Sequence, residues 1–155
     1  MKVFISYSVY DTKQVRQVVD YLGPHVEDIK WWNESNEPGK NCWESIFGWI
    51  DNSDLVLAVI TDRAVKRAMA MGQEIGHAKA KYKKIIPLVG TNVDAGQLGC
   101  LQGVTHIPFN DRDITNSMLK LKDSVIDIKR QDEKGAMIFW AVLVGIVALL
   151  FLVKE

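Results

Sequence analysis

The sequence predicts an α/β fold built on a parallel β-sheet, and two observations carry that prediction. Short apolar, β-branched runs alternate along the chain with amphipathic helical segments, the pattern expected of β-α-β units with helices on both faces of the sheet. The clearest run, at residues 54–60, is almost wholly apolar, which is typical of a parallel strand covered on both faces. A length of 155 residues is enough for one such domain and little more.

Five strands are predicted from these apolar runs, at residues 2–6, 26–32, 54–60, 84–89 and 104–108. The second run is weaker than the others, and the last is short. A polar loop is expected at 33–41, and a Gly-rich connection is expected at 91–103. The segments between most consecutive strands are therefore long enough to contain a helix.

Four helices are predicted, at residues 12–22, 42–52, 64–82 and 114–129. The first begins after a capping residue, either Asp11 or Thr12, and the pair Gly23-Pro24 ends it. The second carries apolar and aromatic residues on one face, among them Trp43 and Phe47. The third contains Glu74, and the fourth leads to the C-terminal segment.

The C-terminal segment at residues 136–153 contains no charged or strongly polar side chain. As a helix it would be ~27 Å long, close to the ~30 Å hydrocarbon core of a bilayer, so it is predicted to be a transmembrane tail anchor. Lys129, Arg130 and Lys134 precede it and only Lys154 follows it, which places the globular part in the cytoplasm. A buried core helix is the alternative, but such a helix normally keeps a polar stripe. The predicted organisation is a globular domain at 1–130, a juxtamembrane linker at 131–135 and the membrane span at 136–153.

Composition excludes several classes of function. Acidic and basic residues are balanced at 19 each and no basic stripe accompanies the aromatics, so nucleic acid is not expected as a partner. The two cysteines, Cys42 and Cys100, form neither a disulfide framework nor a zinc motif, which favours a reducing, cytosolic setting. His77 lies three residues after Glu74, but a surface histidine is favoured over a metal ligand because no third ligand is in view. No metal site is predicted.

Glu74 is the main candidate for a functional residue. It lies on the helix that follows the central strand, among small and apolar residues such as Gly72, Ile75 and Gly76. A carboxylate in such surroundings is costly to desolvate, so it is either exposed or faces a cleft that uses it. The residue type alone favours exposure, because most glutamates lie on the surface. Ligands of open parallel sheets bind beyond the carboxyl ends of the strands, where the loops at 6–11, 33–41, 61–64 and 90–103 are expected.

Four stretches of the chain together carry a resemblance to a known family. They are Val3-Phe4-Ile5-Ser6-Tyr7-Ser8; Gly39 with residues 43–50 and Ser53-Asp54; Val59-Ile60-Thr61; and Gln73-Glu74-Ile75-Gly76-His77-Ala78 with Ile85-Ile86-Pro87-Leu88-Val89. In this order they resemble a TIR domain (Toll/interleukin-1 receptor/resistance protein) of the prokaryotic type, over roughly residues 1–110. The resemblance implies a flavodoxin-like TIR fold with a five-stranded parallel sheet in the order 2-1-3-4-5.

The resemblance also implies an activity. Many members of this family cleave the bond between nicotinamide and ribose in NAD+, and they either release ADP-ribose or cyclise it. Their catalytic residue is a glutamate on the third helix, and Glu74 falls on that position. The chain therefore resembles an NAD+ nucleosidase or ADP-ribosyl cyclase, with NAD+ as substrate and no further cofactor. Nicotinamide leaves as a neutral molecule, so one carboxylate that stabilises the developing oxocarbenium ion can suffice.

Further substrate-binding residues are predicted in the loops around the same edge of the sheet: Ser6, Tyr7, Ser8, Asp11, Trp32, Gly39, Lys40 and Trp43. Hydroxyls and backbone N–H groups of the first loop could bind a phosphate or a ribose, although ordinary turn capping uses the same residues. Trp32 is a candidate for stacking on a nucleobase. In the family, the loop that matches Gly39 and Lys40 covers the cleft and contacts a neighbouring molecule.

The predicted function is that of a membrane-anchored TIR enzyme in anti-phage defence or nucleotide signalling. Family members are typically active when self-assembled, so self-association is expected, together with membrane lipid at 136–153 and a partner defence protein. The alternative is a non-enzymatic TIR scaffold that signals by self-association or by binding partner TIR domains. Ala68 and Ala70 favour it, because they stand where the family often has Ser and Trp; Trp32 or Trp43 could supply the missing indole.

Two further hypotheses are weaker. A response regulator phosphorylated at Asp62 would need acidic residues just after the first strand to hold Mg²⁺, where the chain has Ser6-Tyr7-Ser8. An anchor that itself disrupts the membrane would need a polar face to line a pore, which residues 136–153 lack.

Overall fold

The computed structural model describes residues 1–32, 41–65, 68–110 and 113–152. Its strands are β1 (Lys2–Tyr7), β2 (Asp28–Trp31), β3 (Leu55–Ile60), β4 (Lys84–Gly90) and β5 (Ile107–Phe109). They form one sheet in the order β2-β1-β3-β4-β5, and each neighbouring pair is parallel. The predicted five-stranded parallel sheet and its strand order are therefore confirmed. All six residues of β3 are buried, as expected of the central strand.

The helices among the described residues are α1 (Thr12–Leu22), α2 (Cys42–Asp51), α3 (Asp62–Val65), α4 (Ala68–Ala80) and α5 (Ile114–Leu152). Short 3₁₀ segments lie at Val9–Asp11, Gly23–His25 and Ala95–Leu101. The start of α2 is fixed by Asn41, whose side-chain oxygen accepts a hydrogen bond from the Trp43 N–H at 3.1 Å. This cap places Trp43 in the first turn of the helix.

Two clusters of buried side chains hold α2 and α4 on one face of the sheet. The first cluster comprises Phe4, Ile46, Ile50, Val56 and Ala78. The second comprises Ala58, Ile60, Ala64, Met71, Ile75, Val89, Leu98 and Leu101. Each fully buried aliphatic side chain contributes roughly 1.5–3 kcal/mol to folding. Residues of α4 take part in both clusters, so this helix is held against the sheet over most of its length.

The helix predicted at 64–82 differs from the structure at both ends. The Thr61 hydroxyl accepts hydrogen bonds from the N–H groups of Arg63 and Ala64, both at 3.2 Å, so the helical segment α3 begins at Asp62, before the predicted start. At the other end, α4 stops at Ala80. Tyr82 adopts a left-handed backbone conformation with φ of 54°, and the chain turns there into β4.

The last strand is displaced along the chain from its prediction. The sequence predicts it at 104–108, and the structure has it at Ile107–Phe109. Gly103 has a positive φ of 82°, and the Val104 N–H donates to the Leu101 carbonyl at 3.0 Å. Val104 is thus still part of a turn, and its apolar side chain reflects packing against the second cluster.

The C-terminal region departs most from the prediction. α5 continues without a break from Ile114 to Leu152, so the predicted linker at 131–135 is helical. No helix of the described residues has an apolar stretch long enough to cross a bilayer, and the predicted transmembrane tail anchor at 136–153 is wrong. Charged residues continue along α5 as far as Lys134. The membrane localisation and the lipid contact predicted from this segment are corrected with it.

The chain divides into two compact units, Met1–Leu121 and Lys122–Glu155. The first contains the sheet, helices α1 to α4 and the beginning of α5. There, Ser117 of α5 donates a hydrogen bond to the Pro108 carbonyl of β5 at 2.7 Å, and Met118 and Leu121 are buried. Every predicted site residue that the structure describes belongs to this first unit. In the second unit, a run of apolar side chains is exposed: Met137, Ile138, Phe139 and Trp140.

Candidate active site

Glu74 is buried on the inner side of α4. Only 8% of its surface is exposed, although most glutamates lie at the surface. Its helical neighbours explain this position, because Ile75 belongs to one core cluster and Ala78 to the other. The rotation that buries these apolar residues against the sheet also carries Glu74 inward.

Burial changes the acidity of Glu74. Removal from water disfavours the ionised form and raises the pKa of the carboxyl from 4.5 to about 7. The nearby Ser6 hydroxyl opposes part of this shift, because it stabilises the carboxylate. Glu74 is therefore divided between its protonated and ionised forms near neutral pH, which suits a group that gives or takes a proton.

Ser6 and Ser8 bring two hydroxyls to this region from the end of β1 and the residue after it. Ser6 has no exposed surface and Ser8 has 7%, and neither Oγ has a partner with standard hydrogen-bond geometry among the described residues. Most buried hydroxyls in proteins do have such a partner. The alternation along β1 places Ser6 on the same face as Phe4, the face that α4 covers. The Ser8 hydroxyl can thus bind a ligand without losing an existing bond, whereas the Ser6 hydroxyl is already close enough to act on the Glu74 carboxyl.

Tyr7 and Trp32 interact with each other. The Tyr7 hydroxyl donates a hydrogen bond to the Trp32 carbonyl, which joins the ends of β1 and β2. The Tyr7 ring lies 6.0 Å from that of Trp31, and the Trp32 indole lies 6.1 Å from that of Trp49, between ring centres. Both predicted residues therefore shape the edge of the sheet, and their contact with substrate stays a prediction.

Trp43 lies in the first turn of α2 and is half-buried. Its ring centre is 5.5 Å from that of Phe47, one turn further along the helix. Trp32, Trp43, Phe47 and Trp49 all pack against the cluster that contains Ala78 of α4. An aromatic surface thus borders the helix that carries Glu74. Ala70, where the family often has Trp, is exposed on α4.

Asp11 is almost fully buried, with 1% of its surface exposed. The sequence predicts that it caps α1 or binds substrate, but it forms no side-chain capping bond with that helix. Its carboxylate instead accepts a hydrogen bond from the Thr61 hydroxyl at 2.6 Å. Arg63 adds a second link between the same two loops by donating to the Tyr10 carbonyl at 3.2 Å. Asp11 therefore joins the loop after β1 to the loop after β3.

The remaining predicted residues, Gly39 and Lys40, lie outside the described residues. Within the described part of the chain, no group of three or more His, Cys, Asp or Glu side chains could hold a metal ion. The prediction that the activity needs no metal or further cofactor stays a prediction.

Two features are not predicted from the sequence. The first is a set of contacts around Asp51, the last residue of α2. Its carboxylate lies 2.8 Å from His77 Nε2 and 3.4 Å from Lys81 Nζ, and its backbone carbonyl accepts a hydrogen bond from Lys83 Nζ at 2.7 Å. Lys83 also donates to the Ser53 carbonyl at 2.8 Å. These partners of Asp51 are 26 to 32 residues apart from it in the chain, so no local pattern could reveal them.

The second feature is a polar cavity of about 380 Å³ beyond the carboxyl ends of β3, β4 and β5. Its lining residues are Thr61, Asp62, Gly90, Thr91, Asn92, Phe109 and Asn110. None of the predicted site residues that the structure describes is among them. The loops at 61–64 and 90–103, which the sequence places at this edge, supply most of the lining, so their position is as expected.

The sequence and the structure are both similar to known proteins. A family model described as "TIR domain" matches residues 3–121. The structure is similar to the TIR domain of the Toll-related receptor TRR-2 from Hydra magnipapillata, with a TM-score of 0.60 and 20% identity over 82% of this chain and 97% of that chain. It is also similar to the CMP N-glycosidase BcmB of Clostridium botulinum, with a TM-score of 0.56 and 20% identity over 78% of this chain and 98% of that one.

A third similar structure is that of the TIR domains in the activated Roq1 resistosome, which directly recognises the pathogen effector XopQ. Here the TM-score is 0.52 and the identity 14%, over 84% of this chain and 75% of that one. At these identities the structures are evidence for a common fold. No curated protein matches the sequence.

Proposed function

The chain belongs to the TIR domain family, and from that premise we propose that it is an N-glycosidase that cleaves the nicotinamide–ribose bond of NAD+. Glu74 is the catalytic residue of this proposal. The observation that carries it is the burial of the Glu74 carboxyl, with a pKa of about 7, beside the hydroxyl of Ser6. A buried acid whose pKa is raised destabilises the fold at neutral pH, and function is the usual reason for keeping one.

The chemistry fits a single carboxylate. Nicotinamide is bound in NAD+ as a pyridinium cation, so it departs as a neutral base when the C–N bond breaks. The ionised Glu74 would stabilise the positive charge that develops on the ribose, and its dry surroundings would strengthen that effect. In the hydrolytic reaction, water adds to the ribose carbon and releases one proton, which a carboxylate with a pKa of about 7 can accept.

The remaining parts of the site have supporting roles in this proposal. Ser6 and Ser8 would bind ribose hydroxyls or phosphate oxygens, and Trp43 or Trp32 would pack against a ring of the dinucleotide. The similarity to a CMP N-glycosidase supports the reaction class, because that enzyme's name describes cleavage of an N-glycosidic bond in a nucleotide. We also propose self-association through the TIR domain, which the similarity to the Roq1 assembly supports. A role with a partner in anti-phage defence or nucleotide signalling belongs to the same proposal.

The experiment is to incubate the purified protein, concentrated enough to assemble, with NAD+ and separately with CMP, and to identify the products by mass. We expect nicotinamide together with linear or cyclic ADP-ribose from NAD+. Glu74→Gln keeps the size of the side chain and should reduce turnover about a thousandfold or more, because it removes the charge that stabilises the transition state. Equal turnover by the two proteins would rule out the catalytic role of Glu74, and release of cytosine alone would replace NAD+ by CMP as the substrate.

A second candidate function is a non-enzymatic scaffold that assembles through its TIR domain. The exposed Ala70 favours it, because the family often has Trp at that position. For this candidate we expect concentration-dependent oligomers by light scattering, and no product from either nucleotide at concentrations where the oligomer predominates. Turnover that Glu74→Gln abolishes would exclude it.

A further inference from the structure

Helices α2 and α4 lie side by side, and they are in close contact in the helical turn that follows Glu74 on α4. Ala78 of α4 has no exposed surface and packs among Ile46 and Ile50 of α2, where its small size allows the helices to approach. In the same turn of α4, the His77 imidazole stacks on the Phe47 ring of α2. Their ring centres are 4.4 Å apart and their planes differ by 16°.

Asp51 completes this contact at the end of α2. Its Oδ1 lies 2.8 Å from His77 Nε2, and its Oδ2 lies 3.4 Å from Lys81 Nζ. The hydrogen bond from His77 is the main reason why the pKa of Asp51 is lowered, and the charge of Lys81 acts in the same direction. The imidazole is thus fixed from two sides, by an aromatic face and by a carboxylate, both of which belong to α2.

This contact is one helical turn from the candidate active site. His77 follows Glu74 by three residues on α4, and Phe47 follows Trp43 by four residues on α2, so each pair lies on one side of its helix. Any slide or rotation of α4 against α2 would therefore change the position of Glu74 relative to Trp43. It would also open the apolar surroundings of the Glu74 carboxyl to water.

We propose that Asp51, His77 and Phe47 form a latch that fixes α4 against α2 and thereby positions the Glu74 carboxylate. His77 and Asp51 are positioning residues in this proposal, since they act through the helix that carries Glu74. The effect of the latch on turnover rests on the proposed function. Its effect on the environment of Glu74 does not, and that effect can be measured without any substrate.

The first test follows the titration of the Glu74 side-chain carboxyl by ¹³C NMR in the wild-type protein, Asp51→Asn and His77→Ala. We expect the midpoint to fall from about 7 toward 4.5 in both variants, because a loosened α4 admits water to the carboxyl. Asp28→Asn is the matched control: Asp28 pairs with Lys30 at 3.3 Å and is 41% exposed, compared with 40% for Asp51. The same midpoint in wild type, Asp28→Asn and both latch variants would overturn the proposal, and His77→Ala keeps the test available if Asp51→Asn does not fold.

The second test measures NAD+ turnover by the same proteins. We expect kcat to fall about tenfold in Asp51→Asn and His77→Ala at unchanged KM, because misplacement of a catalytic group acts on the chemical step. His77→Gln should recover most of the rate, since its amide can still donate to Asp51. A shifted Glu74 midpoint with unchanged kcat would contradict the positioning role. If the wild-type protein turns over no substrate, the proposed function fails while the NMR titration still decides whether the latch exists.

Discussion

Glu74 and Asp51 are carboxylates on adjacent helices, and the fold treats them in opposite ways. Glu74 is 8% exposed, its pKa is raised to about 7, and the hydroxyl nearest to it opposes that shift only in part. The Asp51 side chain is 40% exposed, its pKa is lowered, and it has a histidine and a lysine as partners. The comparison separates two uses of the same chemical group. Asp51 joins two helices, whereas Glu74 is kept in a state that costs stability and that suits the catalytic role we propose for it.

The largest effect expected from this difference between the two carboxylates is a higher free energy of unfolding in Glu74→Gln than in the wild-type protein. The folded protein binds the Glu74 proton more tightly than the unfolded chain does, so the carboxyl costs nothing below pH 4.5 and its full cost appears above about pH 7. At ~1.4 kcal/mol per pKa unit, the free energy of unfolding at pH 8 should rise by roughly 3 kcal/mol in Glu74→Gln. Urea denaturation at several pH values would measure it.

The pH dependence provides the control for this prediction. The difference between Glu74→Gln and the wild-type protein should shrink toward zero as the pH falls to 4.5. Asp51→Asn should change stability in the opposite direction at pH 8, because its lowered pKa stabilises the fold at high pH. A Glu74→Gln protein that is less stable than the wild type at pH 8 would break the contrast between the two carboxylates.

Asp11 carries a third carboxylate, and it allows a test of whether burial alone makes a carboxylate costly, as we infer for Glu74. Asp11 is at least as buried as Glu74, but the Thr61 hydroxyl donates to it at 2.6 Å and also caps α3. Thr61→Val keeps the shape of the side chain and removes that hydroxyl, so we expect a loss of about 1–3 kcal/mol in the free energy of unfolding. Thr91→Val, at the exposed position after β4, is the control and should change stability by much less. Equal effects of the two substitutions would mean that the bond to Asp11 is unimportant.

A smaller effect is expected from Ser6→Ala, which removes the hydroxyl that stabilises the ionised form of Glu74. The pKa of Glu74 should then rise above about 7, by less than the shift that burial itself causes. In the NMR titration this change is opposite to the one expected for the latch variants. The acid limb of the pH profile of kcat/KM should move to higher pH by the same amount. A midpoint that falls in Ser6→Ala would show that the hydroxyl is not a partner of the carboxylate.

The sequence predicted the parts of the fold that depend on local pattern. The apolar runs at β1, β3 and β4 are long enough to define buried strands, and the strand order followed from the family resemblance. Boundaries that depend on turns were less accurate. The end of α4 is set by the left-handed backbone at Tyr82, and the start of β5 by the turn at Gly103. The C-terminal prediction rests on the hydropathy of residues 136–153 by themselves, and it is wrong because no helix of the described residues has an apolar stretch long enough to cross a bilayer.

The site was predictable only in part, for a physical reason. Residue type alone favoured a surface position for Glu74, and the family resemblance made it the main candidate. Its burial results from the packing of Ile75 and Ala78 in two separate clusters. Ser6 could have been linked to Glu74 from the period of two along β1, which places it on the face of Phe4. The partners of Asp51 and Asp11 lie 26 and 50 residues away, so only the tertiary structure reveals that these carboxylates are bound.

The hydrogen bonds of Lys83 have a mechanical consequence. Because Lys83 binds the carbonyls of Asp51 and Ser53, the turn after α4 is pinned where α2 ends and the chain approaches β3. The segment from Lys81 to Lys83 is then a fixed point about which α4 can tilt. Glu74 lies about 10 Å from Lys81 along the helix axis, at 1.5 Å per residue. A tilt of only ~6° about that point would carry the carboxylate ~1 Å, and a misplacement of that size can change a rate about a hundredfold. A small tilt at the fixed end of α4 would therefore become a larger displacement at the end where the chemistry is proposed.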